Sequence, residues 1–213
     1  MKMRTYKLFF CFFFLSCAWL KGLAQFEGVI AFRKITGTDT VQYVYYVKGN
    51  LVRIDELTKH TGIVSGSLIA NLEKSSIVSL NRERKIFMDY KPTGAAPVGF
   101  QPQVTPLKSV AAVAGVKCKG FELKNPTDGT VVTYSIGSNN CGFVKKLLAL
   151  LQRKDKISVY FQLLKEANDG FPFLAVLKDA AGKVDTRLEV TQFTAKSMDA
   201  GLFAIPADFQ PYK

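Results

Sequence analysis

Residues 43–55 read YVYYVKGNLVRID. Val41, Tyr43, Tyr45 and Val47 alternate with their neighbours, and the run is dominated by β-branched and aromatic types. A period of two marks a strand with one buried face. Lys48-Gly49-Asn50 supplies a turn, after which Leu51, Arg53 and Asp55 point opposite to Val52 and Ile54. The stretch is a β-hairpin, and the pattern continues on both sides of it. Residues 26–35 precede it as a strand. Residues 67–72, 77–80 and 85–90 follow it, parted by the polar breaks Glu73-Lys74-Ser75 and Asn81-Arg82-Glu83-Arg84. Strands this close in sequence pair antiparallel, since parallel pairing needs a long crossover.

Residues 91–108 differ in character. Pro92, Pro97, Pro102 and Pro106, with Gly94 and Gly99, exclude a helix or a central strand. The segment reads as a long surface loop or connector, with Gly99-Phe100 a candidate lid. Strand character resumes over 116–123 and 130–136, around a turn at Asn125-Pro126-Thr127-Asp128-Gly129. Residues 142–152 read as a helix with Phe143, Leu147, Leu150 and Leu151 on one face. Residues 156–166 fit neither period clearly. Residues 171–178 and 184–194 form another hairpin across Ala180-Ala181-Gly182, and a short turn follows at 198–203. About nine strands and one clear helix make the fold mainly β with some α. The economical arrangement is a strongly curved antiparallel sheet, an open half-barrel, wrapped over one or two helices. A closed barrel and a β-sandwich are the alternatives.

The first 24 residues read as a secretory signal peptide. Lys2, Arg4 and Lys7 form a positive start, residues 8–20 (LFFCFFFLSCAWL) an apolar stretch, and Gly22-Leu23-Ala24 a small-residue cleavage site before Gln25. The apolar stretch is short of the roughly 20 residues a membrane span needs. An uncleaved anchor and lipidation at Cys17 are the alternatives. Cleavage between Ala24 and Gln25 leaves residues 25–213 as a single domain, exported to the periplasm or outer membrane, with secretion a further possibility.

Export changes the bookkeeping of the 213-residue chain, whose formal charge is +12. The leader holds four of the 29 basic residues and none of the 17 acidic ones, which leaves a mature charge of +8. Basic residues are scattered rather than clustered, which points away from nucleic acid and leaves peripheral contact with an anionic envelope surface open. Two of the four cysteines remain, Cys118 and Cys141. In an oxidising compartment they are a disulfide candidate, with two separate buried thiols as the alternative.

Catalytic patterns are missing. The single histidine, His60, sits in a loop-like Lys59-His60-Thr61-Gly62 and has no nucleophile pattern beside it. Two distant cysteines and one histidine lack zinc-ligand spacing. No phosphate-binding glycine loop occurs. The reading is a non-enzymatic protein without metal or cofactor. The positive feature is the aromatic content of the strands. Phe32, Tyr43, Tyr45, Phe87 and Phe173, chosen for size and strand placement, are the candidate lining of a concave apolar face.

The order of segments carries a resemblance. FEGVIAF at 26–32, YVYYVKGNLVRID, GVKCKGFEL at 115–123, VVTYSIG at 131–137 and LFAIP at 202–206 follow one another along the chain. Together they resemble a family of exported bacterial proteins, a domain of unknown function, related to the outer-membrane lipoprotein carriers (LolA/LolB-like). The resemblance implies a half-barrel with helix covering its hollow, the place where the carriers hold acyl chains. It carries over no site residue. The expected function is an envelope binding module for a lipid, a lipidated protein or another apolar ligand. The alternative is a structural or protein-interaction module with no small-molecule ligand. Oligomeric state is left open.

Overall fold

The computed structural model describes residues 25–59, 61–92 and 99–212. The proposed leader, Ala24 included, and His60 lie outside them.

Six strands run in sequence as hairpins: β1 (Gly28–Thr36), β2 (Asp39–Lys48), β3 (Leu51–Leu57), β4 (Val64–Asn71), β5 (Ser76–Asn81) and β6 (Ile86–Asp89). The β2–β3 turn closes with Lys48 opposite Leu51. Gly49 takes φ +54° there, the positive value a two-residue hairpin loop requires at its first central position. After the Pro-rich segment come β7 (Gln103–Leu107), β8 (Lys119–Lys124) and β9 (Val131–Ser138), then helices α1 (Phe143–Leu151) and α2 (Lys156–Leu163). The chain ends with β10 (Gly170–Lys178), β11 (Val184–Ala195) and the two-residue β12 (Gln210–Pro211).

All twelve strands form one sheet in the order β12-β6-β5-β4-β3-β2-β1-β11-β10-β9-β8-β7. Neighbours pair antiparallel except β12, which lies parallel to β6. The two ends of the sheet, β12 and β7, do not pair, so the sheet is open, in keeping with the half-barrel expectation rather than a closed barrel. Its register slips at Ala31/Phe32 against β11 and at Pro172/Leu174 against β9, where Phe173 is the extra residue. Bulges of this kind bend and twist a strand, which suits a curved sheet. Gly137 pairs with Phe171 two residues before the second bulge, and a Cβ there would strike the Phe173 ring.

The concave face is apolar and holds both helices. Phe143, Val144, Leu147 and Leu151 of α1 and Ile157, Val159, Tyr160 and Phe161 of α2 are buried against it. Asp155 caps α2, its side chain accepting from the Ser158 backbone N–H at 3.2 Å and hydroxyl at 2.9 Å. The helices are fastened to the β9 side. Tyr134 Oη donates to the Ile157 carbonyl at 2.6 Å, and the Thr130 and Tyr160 hydroxyls share a 2.7 Å bond. Toward β1 and β2, the tie among the described residues is one ion pair, Lys34–Asp155 at 3.6 Å, with both side chains about a third exposed.

The structure corrects two sequence expectations, the loop at 103–107 and the buried stripe of α1, and settles two points left open. Residues 103–107 of the Pro-rich segment are a strand, which Pro106 tolerates because β7 is the sheet edge. Residues 156–163 are helical, and in α1 Val144 rather than Leu150 completes the buried stripe. Arg53 and Asp55 do not face water. They are 6% and 3% exposed on the convex face, beneath the chain's last segment.

That segment forms a strap. Met198, Phe203, Leu202 and Phe209 pack with Val29, Ile69, Leu80 and Phe87 in a second apolar cluster. Glu27 accepts from the Met198 backbone N–H at 2.7 Å, and Lys48 Nζ donates to the Met198 carbonyl at 2.6 Å. Under the strap Arg53 Nε and Nη2 grip both Asp55 oxygens at 2.8 and 3.1 Å, while Nη1 donates to the Leu202 carbonyl at 3.1 Å. Ser67 Oγ donates to Asp55 Oδ1 at 2.7 Å. The pair is thus fully partnered, as burial of a charge demands.

Candidate functional site

A crevice opens where the edge of the helix pair meets β1, β2 and β10. Its floor is aromatic: Phe32, Tyr43, Tyr45, Phe161 and Phe171, with Pro172 and Leu188 beside them. Val144, Leu148 and Ile157 supply the helix wall, and Lys34, Arg153, Asp155 and Ser158 the polar rim. The cavity measures about 70 Å³. Pockets for drug-sized ligands run to roughly 300–1,000 Å³. As it stands, the crevice takes the end of a chain or one side chain, and the rest of the hollow is filled by the protein's own helices.

The floor follows from strand pairing. Phe32 and Tyr43 are directly opposite across β1–β2, and Tyr45 lies two residues along on the same face. Their rings pack tightly, Phe32 at 5.3 Å from Tyr43 and 4.9 Å edge-on from Tyr45. Phe171 closes the group, 6.2 Å from Phe32 and 6.5 Å edge-on from Tyr45.

The two phenols have a distinct character. Burial pushes the Tyr45 hydroxyl up to about 12. Burial and then the Glu56 carboxylate raise Tyr43, with Arg153 acting in the opposite sense on both. Neither hydroxyl is fully enclosed without a partner. Both side chains line the crevice. Raised above the ordinary tyrosine value, both are neutral donors throughout the physiological range.

Of the five lining residues expected from sequence, the structure brings together Phe32, Tyr43 and Tyr45. Phe173 lies deeper and does not line the crevice. It is fully buried against Phe171 at 5.9 Å and Phe193 at 5.0 Å. Phe87 is on the other side of the sheet. It pairs with Leu80 across β5–β6 and shares that residue's convex cluster. The loop between the two strands sets that register, and parity along β6 alone did not reveal it. Missed residues come from the helices: Val144, Leu148, Arg153, Asp155 and Ile157. Phe161 and Phe171 stand out in the sequence only as aromatics in strand-like surroundings.

The disulfide candidate does not form in this structure. Cys118 and Cys141 are free thiols. Each Sγ instead donates to a nearby carbonyl, Cys118 to Val116 at 3.4 Å and Cys141 to Asn139 at 3.5 Å. Burial raises the Cys118 thiol and pushes Cys141 up to about 12.

Among the described residues no helix is long and apolar enough to cross a membrane, and no cluster of His, Cys, Asp and Glu could hold a metal ion. The chain matches the family described as Domain of unknown function (DUF4412) over residues 26–209. It is a member of that family. No protein of curated function matches this DUF4412 chain in sequence. Solved structures share its fold. An uncharacterised conserved protein from Thermus thermophilus superposes with TM-score 0.52 at 12% identity, over 86% of this chain and 88% of that one. MucB superposes with TM-score 0.50 at 9% identity, over 85% of this chain and 58% of MucB. At such identities the likeness is one of fold. It agrees with the half-barrel class read from the DUF4412 sequence, an open, mainly β sheet over two helices.

Proposed function

We propose that this protein is an exported, non-enzymatic binding module of the cell envelope, and that the aromatic crevice receives the apolar part of a lipid, a lipidated protein or another apolar ligand. The observation that carries the reading is the Phe32–Tyr43–Tyr45–Phe171 floor, an open aromatic surface at the seam between helices and sheet. The leader-like first 24 residues and the fold shared with MucB support the envelope setting. The uneven fastening of the helices supports a means of admitting more than a chain end. On the β9 side hydrogen bonds add to the apolar packing of the helices, whereas at the crevice the packing of Val144, Ile157 and Phe161 is joined by one part-exposed ion pair, worth about 1 kcal/mol or less. Moving that edge outward enlarges the site without breaking the far attachment.

The filled hollow favours a second reading, an envelope interaction module with no small-molecule ligand. Native mass spectrometry of protein recovered from its own envelope separates the two. The first reading expects a co-purifying apolar adduct and displacement of it by a fluorescent fatty acid. Ligand-free protein that also ignores the fluorescent fatty acid supports the second.

A further inference from the structure

The polar rim of the crevice is unevenly neutralised. Asp155 is committed three ways, to the Ser158 N–H, the Ser158 hydroxyl and Lys34. Arg153 has no such commitment among the described residues. Its side chain makes no hydrogen bond or ion pair among the described residues, and every Asp and Glu of the chain is among them. Yet Arg153 is not simply out in solvent. It is half-buried at the junction of the aromatic crevice with a second groove, which runs over Tyr43, Ile54, Glu56 and Leu68 to Tyr90. Tyr43 lines both hollows as well. A half-buried guanidinium without an acceptor, beside two phenol donors and an apolar floor, is an incomplete anion site.

We infer that the crevice takes a single-chain amphiphile with a carboxylate head group, a fatty acid, with the carboxylate on Arg153 and the Tyr43 and Tyr45 hydroxyls. The inference rests on the apolar-binding reading above and adds the chemistry of the ligand's polar end. Three features select this class. One free guanidinium offers one two-pronged fork, the match for one carboxylate. A cavity of about 70 Å³ admits one narrow chain end and not a pair of chains. Glu56 lines the adjoining groove, so a doubly charged phosphate head meets about twice the repulsion that a singly charged carboxylate does. Lys34 is already paired with Asp155, which leaves Arg153 as the rim cation without a carboxylate among the described residues.

The test is calorimetric titration at pH 8 of the protein, expressed with its leader and purified, using dodecanoate and dodecanol below their aggregation limits. Charge-assisted hydrogen bonds add about tenfold or more in affinity, so wild type is expected to bind dodecanoate about tenfold more tightly than dodecanol. Arg153→Ala brings the two within about twofold, chiefly by weakening dodecanoate, and Arg153→Lys keeps part of the preference. Arg153→Gln repeats the test if the alanine variant fails to fold. Dodecanol and dodecanoate binding wild type equally, or a preference that survives removal of Arg153, overturns the head-group assignment and leaves the apolar site standing. If neither compound binds wild type, the apolar-binding reading itself fails, and this inference with it.

Discussion

Replacing Arg53 by alanine should cost this protein about 3–5 kcal/mol, the usual penalty for leaving a buried charge without its partner. Asp55 is 3% exposed and takes two of its three hydrogen bonds from the Arg53 guanidinium, at 2.8 and 3.1 Å. After the substitution only the Ser67 hydroxyl remains, and the Leu202 carbonyl of the strap loses its donor. Domains have total stabilities of roughly 5–15 kcal/mol, so the loss is a large fraction of the whole. Urea unfolding followed by circular dichroism measures it, and in a chain this long it corresponds to roughly 6–20 °C in melting temperature. The paired replacement Arg53→Met with Asp55→Leu removes both charges. It should recover more than half of the loss, because an apolar pair of similar volume avoids the desolvation of two ions. A single-variant cost below about 1 kcal/mol would refute the reasoning, and so would a double variant less stable than the single one.

Other consequences follow from individual contacts. Asp128 is held down at about 2, first by its hydrogen bond from Lys156 and then by Thr130. Its stabilising contribution is therefore complete above pH about 4 and disappears as pH falls toward 2. Asp128→Asn should flatten acid unfolding in that window by no more than about 1 kcal/mol, since the side chain is 40% exposed. Gly137→Ala drives a Cβ into the Phe173 ring, and overpacking of this kind should cost about 1–3 kcal/mol in the same urea assay. An unreduced sample of residues 25–213 should show two free thiols in denaturant. In the native state at pH 8 iodoacetamide should leave Cys141 untouched, because the thiolate it attacks is scarce in a group at about 12.

Much of the architecture was legible in the sequence, for a local reason. Strands β1 to β6 are joined by short turns, so alternation and turn chemistry specify both the elements and their pairing. The hairpin at 43–55 delivered Tyr43 and Tyr45 to the correct face, and pairing with β1 placed Phe32 beside them. Information carried by distant contacts was harder to read. Residues 157–161, Ile-Ser-Val-Tyr-Phe, mix the strand period with the helix period, and the Asp155 cap together with the β9 attachments settles the matter in favour of helix. Arg53 and Asp55 look like a solvent face until the strap, some 150 residues away in sequence, covers them. Phe173 sits at a bulge, which detaches its position from simple parity along β10. Arg53, Asp55 and the β9-attached helix show long-range contacts overriding a local pattern.

The central claim is that the Phe32–Tyr43–Tyr45–Phe171 crevice binds an apolar group. Two-dimensional NMR of protein carrying labelled leucine, isoleucine and aromatic side chains, titrated with dodecanol, addresses it directly. The account predicts saturable shifts centred on Leu188, Ile157, Tyr45 and Phe171, with Leu80 and Phe203 of the convex cluster unmoved. Shifts confined to that convex cluster, or none at a dodecanol excess near its solubility limit, would contradict it.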